Sequence, residues 1–288
     1  MVDQAENLRL KMTGQPVKSP KVIAILSGKG GVGKSMVSIN FATALIQAGK
    51  KIVIIDLDVG TGNIDMLLGV HQRHTIVDMI HRQWSIQDIT MHYPDGPAFI
   101  SGGSGLSELF QLTNEKLDYL LGQLSVLKNH YDTIIFDLGA GMNDEWIRFI
   151  QSACDVFLVT TTEPSSLTNA YATLKSLHHH HPLMSVRCLI NRADRERDAW
   201  AAWRKLSGVS QRFLNKKLDY LGYLPNDRVI RDASKNHCPF MLGQPKADVS
   251  IRLRRIAATY IDGANESDMQ HDHFMKKMKQ IFKRESES

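Results

Sequence analysis

Short apolar runs rich in Val and Ile punctuate the chain: VIAIL at 22–26, KIVIID at 51–56, TIIFD at 133–137, VFLVT at 156–160 and RCLI at 187–190. A strand with one face in water alternates apolar and polar residues, so unbroken runs predict strands covered on both faces. Helix-length segments such as 34–48, 113–129 and 165–177 separate them. This βαβ rhythm predicts an α/β fold, a doubly wound, mainly parallel sheet with helices on both faces. There is no internal repeat.

The two ends follow another pattern. Residues 1–20 are polar and finish in GQPVKSP, which predicts a tail and linker ahead of a folded domain spanning 21–262. From 263 to 288 the chain is first polar and then basic, ending in HDHFMKKMKQIFKRES. At about 100° per residue, Phe274, Met275, Met278, Ile281 and Phe282 share one arc of a helix. Lysines 276, 277, 279 and 283 and Arg284 occupy much of the rest. A terminal helix docked on the core shows a similar stripe, but the polar linker and cationic face favour an amphipathic helix lying in an anionic bilayer.

Composition changes this picture little. Hydrophobic residues at 43% and charged residues at 23% are those of an ordinary globular protein. A net charge of +5 permits attraction to anionic partners without requiring it. The three cysteines, Cys154, Cys188 and Cys238, are far apart and include no C-x-x-C, which argues against a disulfide framework or a metal cluster and fits a reducing cytosol. No run approaches the roughly 18 apolar residues of a membrane span, and the first residues have no apolar signal region. The four histidines at 178–181 precede Pro182 at an expected helix end, where adjacent side chains cannot all face one ion.

The chemistry begins at LSGKGGVGKS, residues 26–35. Gly28, four intervening residues, Gly33, Lys34 and Ser35 complete a G-x-x-x-x-G-K-[ST] phosphate loop between a predicted strand and a predicted helix. The glycines let successive N–H groups face a phosphate at the positive end of the helix. Lys34 bridges the β- and γ-phosphates and the Ser35 hydroxyl ligates Mg2+ in such loops. The nucleotide-binding set is therefore Gly28, Lys29, Gly30, Gly31, Val32, Gly33, Lys34, Ser35 and Met36. Asp56 and Asp58 follow the second strand, and Asp137 ends another just before Gly139-Ala140-Gly141. A carboxylate at a strand tip beside a phosphate loop is the usual Mg2+ anchor. Either strand tip alone could be a cap or turn; three carboxylates together argue for a site.

KGGVGKS with its extra Lys29, DLDVGTGNID and DLGAG together resemble the deviant Walker A ATPases of the MinD/ParA family, over about residues 21–262. The resemblance implies that Lys29 reaches across an ATP-dependent homodimer to the partner's phosphates, and that Lys29, Lys34 and Asp58 serve catalysis. It implies that Asp58 orients the attacking water, that Asp137 holds Mg2+ through water, and that Asp56 supports them. Residues 58–65 and 137–143 would be the segments that sense hydrolysis. Asn191 and the Pro225-x-Asp227 loop match the family's positions for reading the base.

At the start, Asp3, Gln4, Ala5, Leu8 and Arg9 match the D-Q-A-x-x-L-R element of the flagellar-number regulators of the MinD branch, the FlhG, YlxH and FleN proteins. There the element activates a signal-recognition-type GTPase, FlhF, and contact with flagellar C-ring (switch) proteins is implied as well. Such a protein is cytoplasmic and peripheral on the inner membrane face when bound to ATP and Mg2+. A MinD-type division-site regulator lacks the N-terminal element. A ParA-type DNA segregation ATPase leaves the lipid-ready tail unexplained, so nucleic acid is not the expected partner. An iron–sulfur carrier of the superfamily would need a cysteine pair that the spacing does not supply.

Overall fold

The structure, a computed structural model, describes residues 20–58, 64–103, 105, 113–141 and 144–264. Its centre is an eight-stranded sheet of β1 (Lys21–Ser27), β2 (Ile52–Asp56), β3 (Met91–His92), β4 (Ala98–Ser101), β5 (Thr133–Ala140), β6 (Asp155–Thr161), β7 (Val186–Ala193) and β8 (Asp219–Pro225). The order is β3-β4-β2-β5-β1-β6-β7-β8. All neighbours are parallel except the short edge pair β3 and β4.

Both faces are covered, and the reason is visible along β1. Val22, Ala24 and Leu26 point into one apolar cluster, while Ile23 and Ile25 point into the other. The first cluster is closed by α3 (Ile76–Arg82), α4 (Asn114–His130), α5 (Asp144–Ser152), α6 (Pro164–His180) and α7 (Glu196–Leu214). The second is closed by α1 (Lys34–Gln47), α2 (Ile64–Leu67), α8 (Arg228–Lys235), α9 (Phe240–Gly243) and α10 (Asp248–Ala264). An unbroken Val/Ile run is what a strand needs when each face meets helices.

The five predicted strands are all present; β1 and β6 gain one residue at each end of the apolar run, and β5 and β7 extend by three residues at the carboxyl end. The pairs the patterning did not predict are β3–β4 and the edge strand β8. β4 has four residues between Pro97 and Gly102, and β8 is half-buried with Gly222 at φ +141°, so neither offers a clean apolar run. His178–His180 form the last turn of α6, and among the described residues no group of three or more His, Cys, Asp or Glu could hold a metal ion. No described helix is long and apolar enough to cross a membrane.

Helix α1 is buried from Lys34 to Leu45, and it is fixed to the sheet by an aromatic trio. Phe41 meets Phe157 edge-on at 5.3 Å and Tyr260 at 5.7 Å between ring centroids. The Tyr260 hydroxyl donates to Asp155 at 3.0 Å, tying α10 to the start of β6. Phe41 is 1% exposed, so Phe41→Ala is expected to lower unfolding free energy by about 3–5 kcal/mol. Urea denaturation should show the midpoint falling at a nearly unchanged slope.

Candidate functional site

The loop between β1 and α1 takes a path that only glycine follows easily. Gly31 and Gly33 have φ of +78° and +90°, and Gly33 caps α1. A Cβ on Gly28 would lie 2.3 Å from the backbone of Asn169 on α6, so the loop is pressed against that helix. The first turn of α1 carries no acidic residue, which leaves the positive helix end available to an anion.

Two strand tips deliver carboxylates to this loop, because Asp56 of β2 and Asp137 of β5 are register partners in adjacent strands. The Lys34 ammonium lies 2.8 Å from Asp137 Oδ1 and 3.5 Å from Asp58 Oδ2, and donates to Ser35 Oγ at 3.2 Å. Ser38 Oγ donates to the same Asp137 oxygen at 2.7 Å. The other oxygen, Asp137 Oδ2, is buried without a hydrogen-bond partner among the described residues. Burial alone would lower the Lys34 pKa, but the charge and hydrogen bond of Asp137, with the charges of Asp58 and Asp56, raise it, so Lys34 is cationic.

Asp56 has a structural task as well. It accepts from the backbone N–H groups of Asp58 at 3.0 Å and Ile64 at 2.9 Å, pinning both ends of the intervening segment. Burial, followed by the charge of Asp137, pushes its pKa up to about 7. The two backbone donors and Lys34 pull the other way without cancelling this. Ser35 Oγ, the carboxylate of Asp58 and the unpartnered oxygen of Asp137 are hard oxygen donors, the set that suits Mg2+. The buried oxygen without a partner is the feature that an ion or its water shell would satisfy.

Beyond the loop opens a cleft of about 640 Å³. Asp58, Arg192, Asn226, Asp227, Ile230 and Arg231 line it together with the loop. Of the three residues expected to read a base, Asp227 lines the cleft but also caps α8, accepting from Val229 N–H at 3.0 Å. Asn191 is 2% exposed and donates its amide to the Val32 carbonyl at 2.7 Å. Pro225 ends β8 and is not part of the cleft lining. Arg192, Asn226 and Arg231 were not anticipated; the clue available was their place next to Asn191 and Asp227, one helical turn apart in the last case.

Lys29 is set apart from this cluster. Its side chain is 43% exposed, and the ammonium donates to Ser165 Oγ at 3.2 Å and lies 3.4 Å from Glu163 Oε2, at the start of α6. Residues 59–63 and 142–143 of the two sensing segments lie outside the described residues, as do Asp3, Gln4, Ala5, Leu8 and Arg9 and the stripe of Phe274, Met275, Met278, Ile281 and Phe282.

A model of the ParA family, described as an NUBPL iron-transfer P-loop NTPase, matches residues 18–261. The antiactivator FleN of Pseudomonas aeruginosa is 32% identical over 237 residues, 82% of this chain and 85% of that protein. The flagellum site-determining protein YlxH of Helicobacter pylori is 32% identical over 213 residues, 73% of this chain and 71% of that protein. Among solved structures, the septum site-determining protein MinD complexed with Mg-ADP from Pyrococcus horikoshii has a TM-score of 0.66 at 23% identity, covering 87% of this chain and 99% of that one, a likeness of fold. As for iron transfer, Cys188 is buried in β7, Cys154 precedes β6, and Cys238 lies between α8 and α9, so no pair converges on the loop.

The Asp56 shift has a consequence for stability. Its folded pKa of about 7 lies above the ordinary aspartate value of 3.8, so between those values the folded chain keeps a proton that the unfolded chain has lost. Stability from this group is full below about pH 4 and is lost as pH rises through 7, by up to about 1.4 kcal/mol per pH unit. Thermal melting followed from pH 5 to pH 8 should show a decline in wild type that is shallower in Asp56→Asn.

Proposed function

The chain belongs to the ParA/MinD family of P-loop ATPases, and from that premise we propose that it is a nucleotide-switched regulator of flagellar number and placement. It closes into a homodimer on ATP, stays on the membrane while closed, and leaves after hydrolysis. One observation carries this reading: of its two loop lysines, Lys34 is buried among carboxylates, while Lys29 is exposed and, among the described residues, held at the start of α6.

The protein is a Mg2+-dependent ATPase, and its own residues account for the chemistry. Lys34, kept cationic by Asp137, bridges the β- and γ-phosphates laid along the glycine loop. Asp58, with its side chain 21% exposed, is placed to orient a water toward the γ-phosphate. Ser35 and Asp137 would hold Mg2+, which when bound would supply neutralisation of the phosphate charge. The pairing of Asp56 with two backbone N–H groups keeps Asp58 in position.

The role of Lys29 is different. An exposed ion pair such as Lys29 with Glu163 stabilises by only about 0–1 kcal/mol, so the lysine leaves it easily for a stronger anion. In our reading that anion is the γ-phosphate held by a second copy. Two C-terminal helices brought together by closure then bind a bilayer by avidity where one binds weakly. Residues 1–20 form the segment that activates an FlhF-type GTPase, 21–262 the ATPase domain, and 263–288 the linker and membrane helix. Contact with C-ring proteins belongs to the same proposal, as an extension of the flagellar role that the FleN and YlxH relatives support.

Lys29→Ala should keep nucleotide binding but lose the ATP-dependent dimer in light scattering, with turnover reduced about 10²-fold, as for removal of one charge-stabilising group. A variant that still dimerises with ATP contradicts the contact across the interface. Deleting residues 270–288 should abolish sedimentation with anionic liposomes in the presence of ATP, and deleting 1–20 should abolish stimulation of FlhF GTP turnover. If only the second deletion is silent, the MinD-type division reading gains.

A further inference from the structure

Helix α1 buries a hydroxyl that packing does not call for. Ser38 is 0% exposed, within a stretch buried from Lys34 to Leu45 and flanked by Val37 and Ile39. In a helix interior serine is a poorer helix former than alanine, and its hydroxyl is costly to bury without a partner. Where the same helix needs only a small side chain it has alanine, at Ala42 and Ala44.

Two acceptors lie within reach of its single proton. Ser38 Oγ is 2.7 Å from Asp137 Oδ1 and 3.1 Å from the Lys34 carbonyl one turn back. The carboxylate is both the nearer and the charged acceptor, at a distance typical of a hydroxyl donating to an anion, so the proton goes there. Lys34 reaches the same Asp137 oxygen at 2.8 Å. Four residues apart on one buried helix, the ammonium and the hydroxyl meet a single carboxylate oxygen from the same side. Holding that oxygen fixes the direction of the other, Oδ2, which is buried without a partner among the described residues.

The two donors part company when a nucleotide binds. Phosphates take over the Lys34 ammonium, while the Ser38 hydroxyl, one turn further into the helix, stays on the carboxylate. We propose that Ser38 is a positioning residue for Mg2+: it keeps Asp137 Oδ1 occupied when Lys34 turns to phosphate, so that Oδ2 stays presented to the ion or its water shell. Without this hydroxyl the carboxylate is free to rotate and follow the lysine, which withdraws an oxygen from the ion. Hydrogen-bond partners of a metal-holding carboxylate are typically worth about 10- to 100-fold in metal affinity. The inference rests on the assignment of this loop to a Mg–nucleotide, but not on dimer, membrane or partner.

The test is calorimetric titration of the full chain with ADP, in EDTA and over a series of free Mg2+ concentrations; ADP keeps ATP-dependent closure out of the reading. Wild type binds ADP in EDTA and binds it more tightly as Mg2+ is added. In Ser38→Ala the affinity in EDTA is unchanged, while the Mg2+ concentration giving half of the gain rises about tenfold. Ser38→Thr, which keeps the hydroxyl, holds the wild-type midpoint once its melting curve shows it folded. Ser250→Ala is the control for a merely structural hydroxyl. Ser250 is also 0% exposed, but its Oγ faces the main-chain carbonyls of Phe240 and Gln244, so its loss lowers the melting temperature and leaves the Mg2+ midpoint in place. The proposal is overturned if Ser38→Ala keeps the wild-type midpoint, if it weakens ADP in EDTA as much as in Mg2+, if folded Ser38→Thr behaves like the alanine variant, or if Ser250→Ala moves the midpoint as far. Wild type whose ADP affinity ignores Mg2+ would instead overturn the assignment of the ion to this site.

Discussion

A buried ammonium facing a buried carboxylate, Lys34 and Asp137 at 2.8 Å, is the interaction on which this site depends. Taking both charges out of water costs several kcal/mol per ion before their attraction returns any of it. A core built for stability alone would do as well with apolar residues there. The pair persists because it stores a cation beneath the phosphate loop and keeps beside it one carboxylate oxygen that has no partner among the described residues. Asp56 accommodates the excess of negative charge by holding its proton to near neutrality, while its oxygens still accept two backbone N–H groups.

The sheet order brings these groups together. β1 lies between β5 and β6, the place where the chain reverses its direction of winding, and ligands bind beyond the carboxyl ends of strands at such a point. Asp56 and Asp137 arrive side by side because β2 and β5 pair in register. The helix that follows the loop is buried along most of its length, so the loop rests on a fixed support and cannot recede from its load.

Patterning along the chain reveals the strands that are buried on both faces, for only these require continuous Val and Ile. It does not reveal β4 and β8, where short length or half exposure relaxes the requirement. The phosphate loop and its aspartates are legible because they are local: a glycine spacing, a strand tip. Glu163 as the partner of Lys29 is not, since 134 residues separate them and only the fold brings α6 beside the loop. The hydrogen bond from Asn191 to Val32 spans 159 residues and is hidden for the same reason. Arg192 was missed because an arginine beside a recognised asparagine looks like an ordinary surface charge. Its left-handed backbone, which sequence cannot display, distinguishes it.

The two lysines also differ in what would move them. Lys34 is 5% exposed and surrounded by carboxylates, so a phosphate takes it over with hardly any displacement and without changing the surface of the molecule. Lys29 must give up Glu163 and Ser165, both at the rim, to meet anything new. A triphosphate brings more negative charge than Lys34 and one Mg2+ can neutralise, and the deficit is greatest at the γ-phosphate. On the proposed reading, a second copy supplies the missing cation, and departure of the γ-phosphate returns Lys29 to the weaker anion in its own chain. The same exposed ion pair that adds little to stability then sets the direction of the switch, because a contact of small energy can be exchanged without unfolding anything.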